Sequence, residues 1–113
     1  HTGDVFRTTA FPVIDTNNGG TLQGTLQALA ILVGTAGPDT KIVPGHGVVS
    51  NRMDVMSFRD MVIEVADAVE AMLARGMTYE QVAAAAPTSG YNDRYGDPDR
   101  FLRAVYTELG GEL

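Results

Sequence analysis

Two side chains combine the type and the setting needed to hold a metal ion: His46 and Asp4. His46 lies in Pro44-Gly45-His46-Gly47, directly after the apolar run Lys41-Ile42-Val43, which reads as a strand ending at Val43. Proline and the two glycines enforce a tight turn. The imidazole is then presented in the loop after the strand with little flanking bulk, and imidazole is the commonest protein ligand for metals. Asp4 follows Gly3 at a second strand end, in His1-Thr2-Gly3-Asp4-Val5-Phe6. Its carboxylate offers two oxygens and a charge that offsets a cation. Taken singly, each residue has an ordinary explanation. His46 reads equally as a turn histidine with a satisfied hydrogen bond, and Asp4 as a turn residue after glycine. His1 is at odd spacing from Asp4, so in an extended segment the two side chains diverge, and His1 is read as a non-ligand or an expression-tag remnant.

The order and spacing of several short motifs carry more than either residue does. Gly3-Asp4-Val5-Phe6 is followed by Phe11-Pro12-Val13-Ile14-Asp15, by Gly19-Gly20, and by Asp39-Thr40-Lys41-Ile42-Val43-Pro44-Gly45-His46-Gly47. Tyr91, Tyr95-Gly96, Phe101 and Tyr106 continue the series. Together they resemble the C-terminal half of a metallo-β-lactamase-fold hydrolase, over essentially the whole chain. The family's H-x-H-x-D-H motif and its next histidine precede the Gly-Asp element, and neither occurs here: the histidines are His1 and His46.

The resemblance implies an α/β fold: half of an αββα sandwich, with few strands and three or four helices. Residues 1–113 form one partial domain in this reading. It implies that Asp4 bridges two metals and that His46 helps bind the second. In the intact enzyme the metal is zinc, one or two ions, with iron or manganese as alternatives. There it lowers the pKa of a bound water, which attacks an ester, thioester, lactam or phosphoester of a small-molecule substrate. The general base and the remaining ligands belong to the other half, so no catalytic residue is assigned in this one. Two protein ligands fall short of the usual three or four for zinc, so the chain by itself is expected to bind metal weakly and to be inactive. The competing expectation is a non-enzymatic oligomerisation or interaction module that keeps the half-fold. In both cases the uncovered apolar face calls for a homo-oligomer or for association with the missing half.

Composition narrows the partners. The formal charge is −6, which opposes nucleic-acid binding and attraction to anionic membrane surfaces. There are no cysteines, which excludes disulfides and thiolate zinc sites. The run from Leu22 to Ala36 is apolar but too short to cross a bilayer. A soluble protein, cytoplasmic or periplasmic, is expected. A hydrophobic content of 44% suffices for a core.

Four helical segments must position these residues. The first runs over Thr21–Thr35, after the turn cluster Asp15-Thr16-Asn17-Asn18-Gly19-Gly20, and is stopped by Gly37-Pro38. Asp15 and Asn17 read as capping residues for it, with a place on the active-site rim as the alternative. The longest helix begins in Asn51–Asp54 and reaches about Arg75, with Gly76 as its stop. Its methionines Met53, Met56, Met61 and Met72 read as core or interface residues. Thr78 caps a third helix that runs to Pro87. Residues 88–97 read as a polar loop whose Tyr91, Asp93, Arg94 and Tyr95 pack on the surface or touch substrate. Pro98 opens the last helix, which Gly110-Gly111 ends.

Overall fold

A strand, a helix and a second strand open the chain and form its sheet. In the computed structural model, which describes residues 1–14 and 19–113 and only the backbone of Asp4, β1 (Gly3–Arg7) pairs in parallel with β2 (Pro44–His46). The crossover between them is α1 (Leu22–Thr35). Parallel neighbours cannot be joined by a hairpin, and a helical crossover is the usual solution. Thr21 starts α1 by accepting the Gly24 N–H on its hydroxyl at 2.9 Å. The expected capping role of Asp15 and Asn17 lies outside the described residues.

Four helices follow: α2 (Arg52–Ala74), α3 (Tyr79–Ala85), α4 (Asn92–Tyr95) and α5 (Asp99–Glu108). The architecture is mixed α/β and mostly helical, with a two-stranded parallel sheet. The expected three or four helices become five among the described residues, because one helical turn, α4, forms inside the stretch read as a polar loop. The starts of α2 and α3 follow their sequence signals. Asn51 and Asp54 exchange side-chain-to-backbone hydrogen bonds at 3.0 Å each, and Thr78 and Gln81 do the same at 3.3 and 2.9 Å. Each such cap is worth about 1 kcal/mol. Gly76 terminates α2 with a φ of +73°, a conformation that costs a residue with a Cβ.

The second strand is displaced from its expected place. Lys41–Val43 does not form it; β2 begins at Pro44 and ends at His46. Ile42 instead bonds Ser50 in both directions, 2.8 Å each way. That antiparallel bridge clasps the base of the Val43–Val49 segment, and β1 reads the backbone of the loop above it.

The core forms where α2 crosses the sheet and the other helices. Val55, Phe58, Val62, Val65 and Val69 are fully buried at alternating steps of three and four, the stripe a helix needs to face a core. Phe58 meets Phe6 of β1 edge-on at 5.4 Å and Tyr95 of α4 at 5.8 Å. Phe101, Leu102, Val105 and Tyr106 line α5 against the same core. Met61 is buried, but Met53 is 73% exposed and Met56 41%, so these two lie on the surface and not in the core. Helix α1 is also less covered than its composition suggests: Leu22 and Leu29 are buried, whereas Ile31 is 68% exposed.

Polar groups lock α3 to α5. The Tyr79 hydroxyl donates to Asp99 Oδ1 at 2.8 Å, and Arg103 Nε donates to Asp99 Oδ2 at 2.9 Å. The Arg103 guanidinium also lies over the Tyr79 ring, 4.5 Å from its centroid. Burial, reinforced by the bond to the Asp99 carboxylate, pushes the Tyr79 phenol up to about 12. The same hydrogen bond from Tyr79, followed by that from Arg103, holds Asp99 below the usual carboxylate value.

Two stability measurements check this packing. Phe58→Ala removes the ring shared by β1, α2 and α4 and should cost about 3–5 kcal/mol in urea denaturation. An effect below about 1 kcal/mol would mean the aromatic cluster is not central. For Tyr79 the sign follows from its raised value. The folded state holds the proton more tightly, so the contribution is complete below the unfolded pKa of 10.0 and disappears as pH rises towards about 12. The urea midpoint should therefore fall across that window, and Tyr79→Phe should flatten the fall. Asp99 runs the other way: its contribution is present at neutral pH and lost in acid, as pH drops through its lowered value.

Candidate functional site

The parallel pairing brings the two candidate metal ligands onto neighbouring strands. The Cα register couples Gly3 with Pro44 and Arg7 with His46. Between these pairs β1 contributes Asp4, Val5 and Phe6, whereas β2 contributes Gly45, and the ladder is irregular there. Asp4 is thus a residue within β1, not the turn after it. His46 is the last residue of β2, not a residue of the following loop, and it is exposed. Neither lies in a helix.

Thr8 fixes the chain around His46. Its N–H donates to the His46 carbonyl at 3.2 Å, and its hydroxyl accepts the Val48 N–H at 3.3 Å. At the other end of the sheet the Thr2 N–H donates to the Val43 carbonyl at 2.9 Å. Ser50 adds a hydrogen bond from its hydroxyl to the Val48 carbonyl at 2.8 Å. The segment that carries the histidine is therefore tied to both ends of β1 and clasped at its own base. Gly47 makes this possible. Its φ is +107°, and a Cβ built on it would stand 1.6 Å from the Thr8 hydroxyl oxygen and 2.9 Å from Thr8 Cβ. The second glycine of the motif is required by contact with Thr8 as well as by its own dihedral.

The other sequence candidates separate from this locus. His1 turns back on its own segment, with Nδ1 accepting the Gly3 N–H at 3.0 Å. Tyr95 is 4% exposed and packs on Phe11 at 5.3 Å. Burial raises its phenol pKa, with Arg94 acting in the opposite direction. Arg94 lies over the Tyr95 ring at 5.1 Å. The Tyr91 hydroxyl donates to the Glu64 carboxylate, and that bond raises the Tyr91 pKa. The tyrosines of this segment thus serve packing between α4 and α2, while Asp93 is exposed. A role for Asp15 on the rim lies outside the described residues.

Among the described residues, no group of three or more His, Cys, Asp or Glu side chains could hold a metal ion. Sequence reasoning passed over Thr8 and Arg7, which give the site its shape. Thr8 carries no signal of its own, because its role is visible only once Gly47 lies against it. No helix among the described residues is long and apolar enough to cross a membrane. Compared with known proteins, the chain matches no family model, no curated protein and no solved structure.

The Gly47–Thr8 contact yields a direct test. Gly47→Ala should destabilise the fold by about 2 kcal/mol or more, since it adds both overlap and an unfavourable φ. Thr8→Ala in the same chain should recover part of the loss. The Cβ overlap and the dihedral persist, so recovery stays incomplete. A neutral Gly47→Ala would show that the loop does not sit against β1 in this way.

Proposed function

We propose that this chain is the C-terminal half of a metallo-β-lactamase-fold hydrolase and that Asp4 and His46 are its contribution to a shared metal site. The observation that supports the reading is the β1–β2 pairing. It places Gly3-Asp4 and Pro44-Gly45-His46-Gly47, separated by a helix in sequence, on adjacent strands. A carboxylate and an imidazole are suitable donors for zinc. Two donors do not complete a zinc site, and the described residues offer no larger cluster. The donors among the described residues, with Asp4 added, are therefore insufficient for hydrolysis, and no catalytic step is assigned to them. The remaining ligands and the general base come from the complementary half, and a small-molecule substrate is met where the halves join.

Surface apolarity supports association. Ile31, Val48, Val49 and Met53 are each at least 60% exposed. Val48 and Val49 directly follow the histidine motif. In this reading the complementary half covers apolar surface near β2, and in its absence self-association does so.

Zinc titration of the 113-residue chain, read by calorimetry, tests the proposal. Weak binding is expected, reduced further by His46→Ala and more strongly by Asp4→Ala, which removes the charged donor. Stoichiometric tight zinc in the isolated chain would overturn the half-site reading. Zinc binding unchanged in both variants would remove Asp4 and His46 as ligands.

A further inference from the structure

A hollow of about 210 Å³ opens where the end of β1 meets the start of α5. Arg7 and Arg100 both line it, together with Phe11, Tyr95, Phe101 and Asp97. The chain as a whole carries a charge of −6, yet two arginines and one aspartate line this hollow. That carboxylate is partly engaged, because Asp97 Oδ1 accepts the Asp99 N–H at 2.9 Å. Arg7 is under-used by the protein itself. Its Nε is buried with no hydrogen-bond partner, and its Nη1 reaches the Phe11 carbonyl at a long 3.5 Å. A buried unpaired donor is costly.

The remaining wall is apolar, with Ala10, Pro12 and Val13 beside the largely buried Phe11, Tyr95 and Phe101. Phe11 and Phe101 stack at 5.4 Å with their planes 11° apart, and Tyr95 lies against Phe11. Guanidinium groups bind carboxylates through paired, parallel hydrogen bonds. A cavity of about 150 Å³ suffices for benzene, so a ring with one carboxylate is a suitable size. Asp97 disfavours a second negative charge on the ligand, which selects a monoanion over a phosphate dianion.

We infer that this hollow binds a small aromatic carboxylate, with its carboxylate held by Arg7 and Arg100 and its ring against Phe11 and Phe101. The inference is independent of the metal reading, because neither Asp4 nor His46 lines the hollow.

The test is an amide chemical-shift titration of the full chain in metal-free buffer, using benzoate, benzamide and inorganic phosphate as probes. Benzoate should bind saturably, with shifts concentrated in residues 7–13 and 97–102. Benzamide and phosphate should each bind about tenfold more weakly or not at all, since one lacks the charge and the other the ring. Arg100→Gln should weaken benzoate about tenfold, and Arg7→Gln similarly if it folds. Arg103→Gln, whose guanidinium is committed to Asp99 and the Tyr79 ring, should leave benzoate binding unchanged. Absence of saturable benzoate binding would overturn the inference. So would phosphate binding as tight as benzoate, or equal benzoate affinity in Arg100→Gln and the parent chain.

Discussion

The close approach of Gly47 to Thr8 is the constraint on which the N-terminal part of this structure depends. The backbone of the histidine loop lies so near β1 that no side chain fits between them. That proximity lets Thr8 serve the loop twice, donating to the His46 carbonyl and accepting from Val48. It also compensates for a poor ladder. β2 is three residues long, and its pairing with β1 is irregular. Two strands so short give little stability by themselves. The Ile42–Ser50 clasp and the threonine contacts supply the definition that extended pairing would otherwise provide.

The helices carry the rest. Helix α2 presents one continuous apolar stripe to the sheet and to α1, α4 and α5, and rings from β1 and α4 converge on its Phe58. The tail is attached by chemistry of a different kind. Tyr79, Asp99 and Arg103 form an exposed polar lock over an apolar seam, and the Tyr106 hydroxyl donates to the Met77 carbonyl at 2.9 Å. Such a lock orients more than it stabilises, because its charged members remain in water. The apolar seam beneath supplies the main driving force.

What was legible in the sequence was what local chemistry decides. Asn51 and Thr78 start their helices as their side chains dictate, and Gly76 and Gly110 end theirs, whereas the Thr21 cap of α1 was not read. In α2, Met61 is buried as one of its expected core or interface methionines, Val55 and Phe58 of the same stripe were not singled out, and Met53 and Met56 lie exposed and outside the core. The second strand was also misplaced. Lys41-Ile42-Val43 has the residues of a strand, whereas Pro44-Gly45-His46 has those of a turn. Tertiary hydrogen bonds from Thr2 and Thr8 outweighed local preference and made the turn-like tripeptide extend. For the candidate site, the two chemically suggestive motifs were legible, while their pairing on adjacent strands and the contact that holds them in register were not. Thr8 and Gly47 are distant in sequence, and nothing about either residue names the other.

The same limit explains why Arg7 gained significance only in three dimensions. It ends β1 opposite His46 in register, and it lines the hollow against α5. A buried guanidinium nitrogen without a partner is an unfavourable arrangement for a fold to keep. The Phe11 carbonyl does little for this side chain, since 3.5 Å is long for an effective hydrogen bond. The end of β1 thus brings two features together: Arg7 lines the hollow and pairs in register with His46.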